Sequence, residues 1–266
     1  MGILNRLQSY WSWLTSDPLG FILYVVYFSV SVLLALILHE VGHAYVAYRC
    51  GDPTAKMLGR LTLNPLKHLD PIGTACMVLL GFGWARPVPV NPRNFGNFRR
   101  DDFLVSVAGI TVNFTLFILS LALAVGFNGL LWKPEVIAVN GGAKEFLSSD
   151  GIGCAVLLSG LAPEYEVLML HPWVQYIQRF LLMFAYMNLA LAIFNLMPFP
   201  PLDGFHIVND ILLKGRLNLS GQMHQIAHFA LMALCFTGAL SSILSFLNDA
   251  IGGAVLNLLL MMVGKR

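Results

Sequence analysis

His39, Glu40 and His43 stand in the order His-Glu-Val-Gly-His. On a helix, positions four apart share a face, so the two imidazoles can converge on one metal ion. The glutamate beside the first of them can take a proton from a water that attacks a peptide carbonyl. In a chain with 7 histidines among 266 residues, chance would produce the pattern roughly 0.003 times. The run before it is Leu33-Leu34-Ala35-Leu36-Ile37-Leu38. The chemistry is therefore expected inside an apolar, membrane-length helix rather than in a water-exposed cleft.

A catalytic zinc usually takes three protein ligands and leaves one position for water. His39 and His43 would give two, and Asp203 is the candidate third. It lies in Asn195-Leu196-Met197-Pro198-Phe199-Pro200-Pro201-Leu202-Asp203-Gly204, just past a later apolar run. A carboxylate there is costly unless something binds it. A turn or helix-cap role for Asp203 is the competing reading. His224 and His228 also sit four apart, but no glutamate accompanies them, and they read as interfacial packing. His68 and His206 read as turn-stabilising or exposed groups, with support of the metal ligands as the alternative.

The elements that must position these residues are helices in a membrane. The chain is 57% hydrophobic and 11% charged, with a mean hydropathy of +0.72. Soluble domains carry about 25% charged residues. The class expected is all-α and polytopic, with four or five transmembrane helices and one short re-entrant or extended segment. Spans are expected at Phe21–Tyr48, Phe103–Trp132, Trp173–Met197 and 223–247, with a marginal fifth apolar element at 250–264. Residues 1–16 read as an amphipathic surface helix rather than a cleavable signal. Residues 17–213 would form the core that carries the metal site, and 214–266 further membrane helices. Residues 72–84 are apolar but too short to span, so they read as re-entrant or interfacial. In Trp84-Ala85-Arg86-Pro87-Val88-Pro89-Val90 the alternating prolines exclude helix and favour an extended edge. The four cysteines lie far apart and read as packing residues. A net charge of +2 gives no basis for nucleic-acid binding.

Lys and Arg crowd into residues 49–102 and are sparse in the connector at 133–171. The positive-inside tendency then places the first loop, and with it the ends of the first and third spans, on the cytoplasmic side. The histidine pair and Asp203 are thus expected at the same membrane face.

Three separated stretches resemble the site-2 protease family of intramembrane zinc metalloproteases. HEVGH at 39–43 matches its HExxH. NLMPFPPLDG at 195–204 matches its second signature. Ala108-Gly109-Ile110-Thr111-Val112-Asn113 is similar to its intervening Ala-Gly…Asn segment, with Ile110 where many members have proline. The stretches from Leu63 to Gly73 and from Phe82 to Phe95 look like those of small bacterial members, without a PDZ or CBS domain. The resemblance implies one Zn²⁺ on His39, His43 and Asp203, with Glu40 as general base. It also implies a substrate-facing role for Asn113. The extended stretch suggests Val88 and Val90 as places where an unwound substrate strand could pair. The implied activity is endoproteolysis in or near transmembrane segments of membrane proteins, as in regulated intramembrane proteolysis. The implied substrates are anti-sigma factors, sigma-factor precursors or signal-peptide remnants, in the bilayer of a bacterial cell membrane; an oligomer is compatible. A metal transporter or metal-binding scaffold is the alternative. It would not need Glu40 and would expect polar residues along the spans.

Overall fold

The computed structural model describes residues 3–71, 73, 74, 76, 84–158, 162–214, 217, 219–238 and 240–263. Most of the 72–84 segment expected to be re-entrant lies outside the described residues. Among those described, the chain is helical, and its only β features are two isolated bridges, Leu69 with Ala85 and Trp132 with Met169. The helices are α1 (Ile3–Ser16), α2 (Pro18–Arg49), α3 (Thr54–Met57), α4 (Phe98–Leu131), α5 (Pro134–Val139), α6 (Gly142–Leu147), α7 (Ile152–Leu158), α8 (Val174–Leu196), α9 (Asp203–Ile211), α10 (Gly221–Thr237) and α11 (Ser241–Met262).

Four of them, α2, α4, α8 and α11, are long and apolar enough to cross a membrane. The 32 residues of α2 and 34 of α4 would run about 48 and 51 Å, past the ~30 Å of a hydrocarbon core. Exposed aliphatic side chains along α2, such as Leu19, Ile22, Val26 and Val30, suit a lipid-facing surface.

The first three spans lie where the apolar runs place them. The fourth does not. Residues 223–247 are divided between α10 and α11. Gly238 adopts φ +75°, and its N–H reaches Cys235 O at 3.2 Å, closing α10. A left-handed glycine is a strong helix stop. Apolar periodicity does not register it, because the residues on both sides are hydrophobic. The element at 250–264 is consequently the second half of the fourth membrane-length helix rather than a fifth.

The chain forms two compact units. One is built mainly from Leu33–Phe114 and Leu191–Leu244, and the other from Leu4–Val32, Thr115–Ala190 and Ser245–Arg266. In the second, the connector after α4 folds into short helices. Trp132 and Phe146, both about 1% exposed, meet edge to face at 5.2 Å. Gln178 Nε2 donates to Asn128 Oδ1 at 3.2 Å, and Tyr186 donates its hydroxyl to Leu147 O. Buried polar side chains in such a helix pack are held by one another and by main chain. The first unit carries every candidate site residue.

Candidate metal centre

α2 and α9 bring three ligand atoms together. His39 Nε2 and His43 Nε2 are 3.0 Å apart, as two imidazoles one turn apart can be. Asp203 Oδ2 lies 3.4 Å from the first and 3.3 Å from the second. Among the described residues this is the one cluster of three or more potential ligands. His224 and His228 stay half-buried on α10, outside it.

The neighbours fix the chemistry of these atoms. His43 Nδ1 is 2.7 Å from Val105 O, and a carbonyl can only accept, so the ring proton sits on Nδ1. His39 Nδ1 is 3.0 Å from Asn113 Oδ1, consistent with the same tautomer. Both Nε2 atoms then present lone pairs toward each other. Asp203 Oδ2 adds a third and has no hydrogen-bond donor. Three converging acceptors repel unless a cation joins them. A tetrahedron with bonds of about 2.0–2.1 Å has edges near 3.3–3.4 Å. The observed 3.0, 3.3 and 3.4 Å fit Zn²⁺ on these residues.

Local sequence explains each placement. Pro198, Pro200 and Pro201 cannot continue α8, and α9 restarts at Asp203 with Leu202 extended at its N-cap. Asp203 therefore enters at the first turn of α9. A β-carbon on Gly204 would lie 2.2 Å from Leu196 O, so only glycine lets α9 begin this close to the end of α8. Gly109 does the same for the histidines. A β-carbon there would fall 2.4 Å from His43 Nε2 and 2.5 Å from His39 Cε1. The Ala-Gly segment of α4 is thus the notch into which the metal-binding face of α2 fits. Asn195 donates to Leu191 O at 3.0 Å and steadies its own helix end.

This chain belongs to peptidase family M50. The family model matches residues 27–238, which include all three ligands and Glu40. Relatives agree. The chain is 37% identical over 198 residues to the "Putative zinc metalloprotease YwhC" of Bacillus subtilis, covering 74% of this chain and 73% of that one. It is 27% identical over 201 residues to Rip2 of Mycolicibacterium smegmatis, which carries the same designation. To Rip2 of Mycobacterium tuberculosis H37Rv it is 30% identical over 197 residues. These matches cover 61% and 59% of the Rip2 chains. No solved structure matches. As a member of this site-2 protease family the chain is a membrane zinc metalloprotease, and the ligand geometry agrees with its metal.

The remaining site residues sit as follows. Glu40 Oε2 accepts the Val88 N–H at 2.7 Å. Val88 buries its side chain with Ala44 and Ala55. Val88, expected with Val90 to be a place where an unwound substrate strand pairs, has its N–H committed to Glu40. Val90 is half-buried two residues on. Asn113, expected to face substrate, is fully buried with its Oδ1 on His39. His68 is buried and bonds Thr62 O at 2.8 Å, a turn-holding role. His206 pairs with Asp102 at 3.2 Å, and that carboxylate holds the imidazole above its ordinary pKa. The main-chain contacts of Val88 and Val105 carry no sequence motif. The glycine of the Ala-Gly segment was the available signal for the notch.

Proposed function

We propose that this metalloprotease cuts single-span membrane proteins within or close to their transmembrane segments, near the cytoplasmic face, in regulated intramembrane proteolysis. The observation that carries the reading is the position of His39, Glu40 and His43 well inside the membrane-length helix α2, with Asp203 closing the metal site. A substrate helix hides its carbonyls in its own hydrogen bonds, so the scissile segment must unwind first.

When bound to His39, His43 and Asp203, Zn²⁺ lowers the pKa of a coordinated water toward ~7 and polarises a carbonyl. The rest falls to the chain. Val88 N–H holds Oε2 of Glu40, which leaves Oε1 to take a proton from the attacking water and return it to the leaving amine. Val105 O and Asn113 Oδ1 keep Nε2 of both histidines aimed at the metal. Prolines 87 and 89 have no N–H, and Val88 N–H is taken. Strand pairing by an unwound substrate through a main-chain N–H therefore falls to Val90 rather than to Val88. Anti-sigma factors, sigma-factor precursors and signal-peptide remnants are the substrate classes that suit such a site in a bacterial membrane.

Purified wild type and Glu40→Gln, each assayed for zinc and for cleavage of single-span substrates, test the reading. Cleavage by the wild type, lost by at least about 1000-fold in a variant that keeps its zinc, is the expected result. Equal cleavage by both, or zinc without cleavage of any spanning segment, would sink it.

A further inference from the structure

The Glu40–Val88 bond positions a carboxylate through a main-chain amide, and that amide must itself be held. Prolines at 87 and 89 fix the backbone on both sides of Val88. Arg86 N–H donates to His68 O at 2.8 Å. Leu69 and Ala85 form an antiparallel bridge. The decisive contact comes from Arg60. Its Nη2 lies 2.7 Å from Arg86 O and 3.2 Å from Pro87 O, so one guanidinium group holds the two carbonyls that precede Val88. Arg60 is 8% exposed and forms no ion pair among the described residues. A buried guanidinium spent on two peptide carbonyls is costly. Its backbone is set by Arg60 N–H on Ala55 O at 2.8 Å, after Gly59 turns the chain at φ +64°.

We propose that Arg60 is a positioning residue for the hydrolysis: it locks the 86–88 backbone so that Val88 N–H holds Glu40 against the metal site. The proposal rests on Glu40 acting as the general base. Both bonds leave one nitrogen, Nη2, whose two N–H groups are held in the plane of a rigid guanidinium, whereas a lysine ammonium is a flexible point donor.

Amide exchange and kinetics on the full-length protein in detergent test it. The variants are Arg60→Met, Arg60→Lys and a Val88 α-hydroxy analogue that replaces the amide N–H with an ester oxygen. The probe is a single-span reporter whose spanning helix contains a Gly-Pro pair. In Arg60→Met, exchange at Val88 N–H is expected to quicken at least about tenfold, with zinc content unchanged. The kcat should fall about 30- to 100-fold with KM within twofold, and Arg60→Lys should recover part of that loss. The ester should lower kcat by a similar factor, and the double variant should add little to either alone. Unchanged Val88 exchange in Arg60→Met would overturn the proposal, as would a loss confined to KM or losses that multiply in the double variant. If Arg60→Met does not fold, Arg60→Lys decides by the same exchange and kinetic criteria, alone and combined with the ester. Glu40→Gln is the control: if it cleaves normally, the reading of Glu40 has failed, whereas an inert Glu40→Gln beside a fully active Arg60→Met fails the Arg60 proposal alone.

Discussion

At the scale of single residues, the centre depends on groups that do not touch the metal. Asn113 orients His39 through its Oδ1. Replacing it with leucine should weaken zinc binding about 10- to 100-fold, measurable by competition with a chelating dye. Gly109 is stricter. Alanine there would place a methyl group 2.4 Å from His43 Nε2, so Gly109→Ala should purify as a helical protein that retains less than about a tenth of the wild-type zinc. Asp210 offers a pH test away from the centre. It is 3% exposed, and burial together with the neighbouring Asp102 carboxylate pushes its pKa from 3.8 to about 6. The folded state holds this proton more tightly than the unfolded chain. Its contribution is therefore complete below the ordinary carboxyl range and is lost as pH rises through about 6. Melting curves from pH 5 to pH 8 should show a fall in Tm of a few degrees for wild type. That fall should be smaller in Asp210→Asn. An equal pH dependence in both would remove Asp210 as its source.

At the scale of elements, helix ends do the positioning. α8 must stop and α9 must start within a few residues for Asp203 to reach a helix face on α2. Prolines stop the first, and Gly204 permits the second to begin against Leu196 O. Gly204→Ala should displace the first turn of α9 and cut zinc occupancy several-fold, while Glu40→Gln should leave occupancy intact. Metal analysis of the two variants side by side separates a failure of geometry from a failure of chemistry. Gly238 closes α10 with φ +75°. The break mattered more than the apolar run around it, and it shifted the fourth membrane-length helix to α11.

At the scale of the whole molecule, the crowd of basic residues between 49 and 102 beside four membrane-length helices leads to the expectation of a cytoplasmic first loop. Leu66 is 80% exposed in that loop and Val139 is 85% exposed in the connector, so labelling at the two positions tests this expectation. In a cysteine-free background, Leu66→Cys should resist a membrane-impermeant maleimide applied outside intact cells, while Val139→Cys should react. The reverse pattern would place the active site on the outer face. Chelation should abolish cleavage and added Zn²⁺ should restore it; activity that survives metal removal would contradict the family assignment.

Side-chain identity alone determined much of this protein. The apolar runs marked three of the spans, because hydrophobicity is summed over many residues. His39, His43, Glu40 and Asp203 were legible because metal ligation and proton transfer need particular side chains at particular spacing. Tertiary structure decided what holds them: Val88 N–H on Glu40, Val105 O on His43, Arg60 on the carbonyls of Arg86 and Pro87. Main-chain amides and carbonyls are the same at nearly every residue, so no motif can mark which of them will be used. Their partners are fixed only when segments 26 to 62 residues apart are packed together.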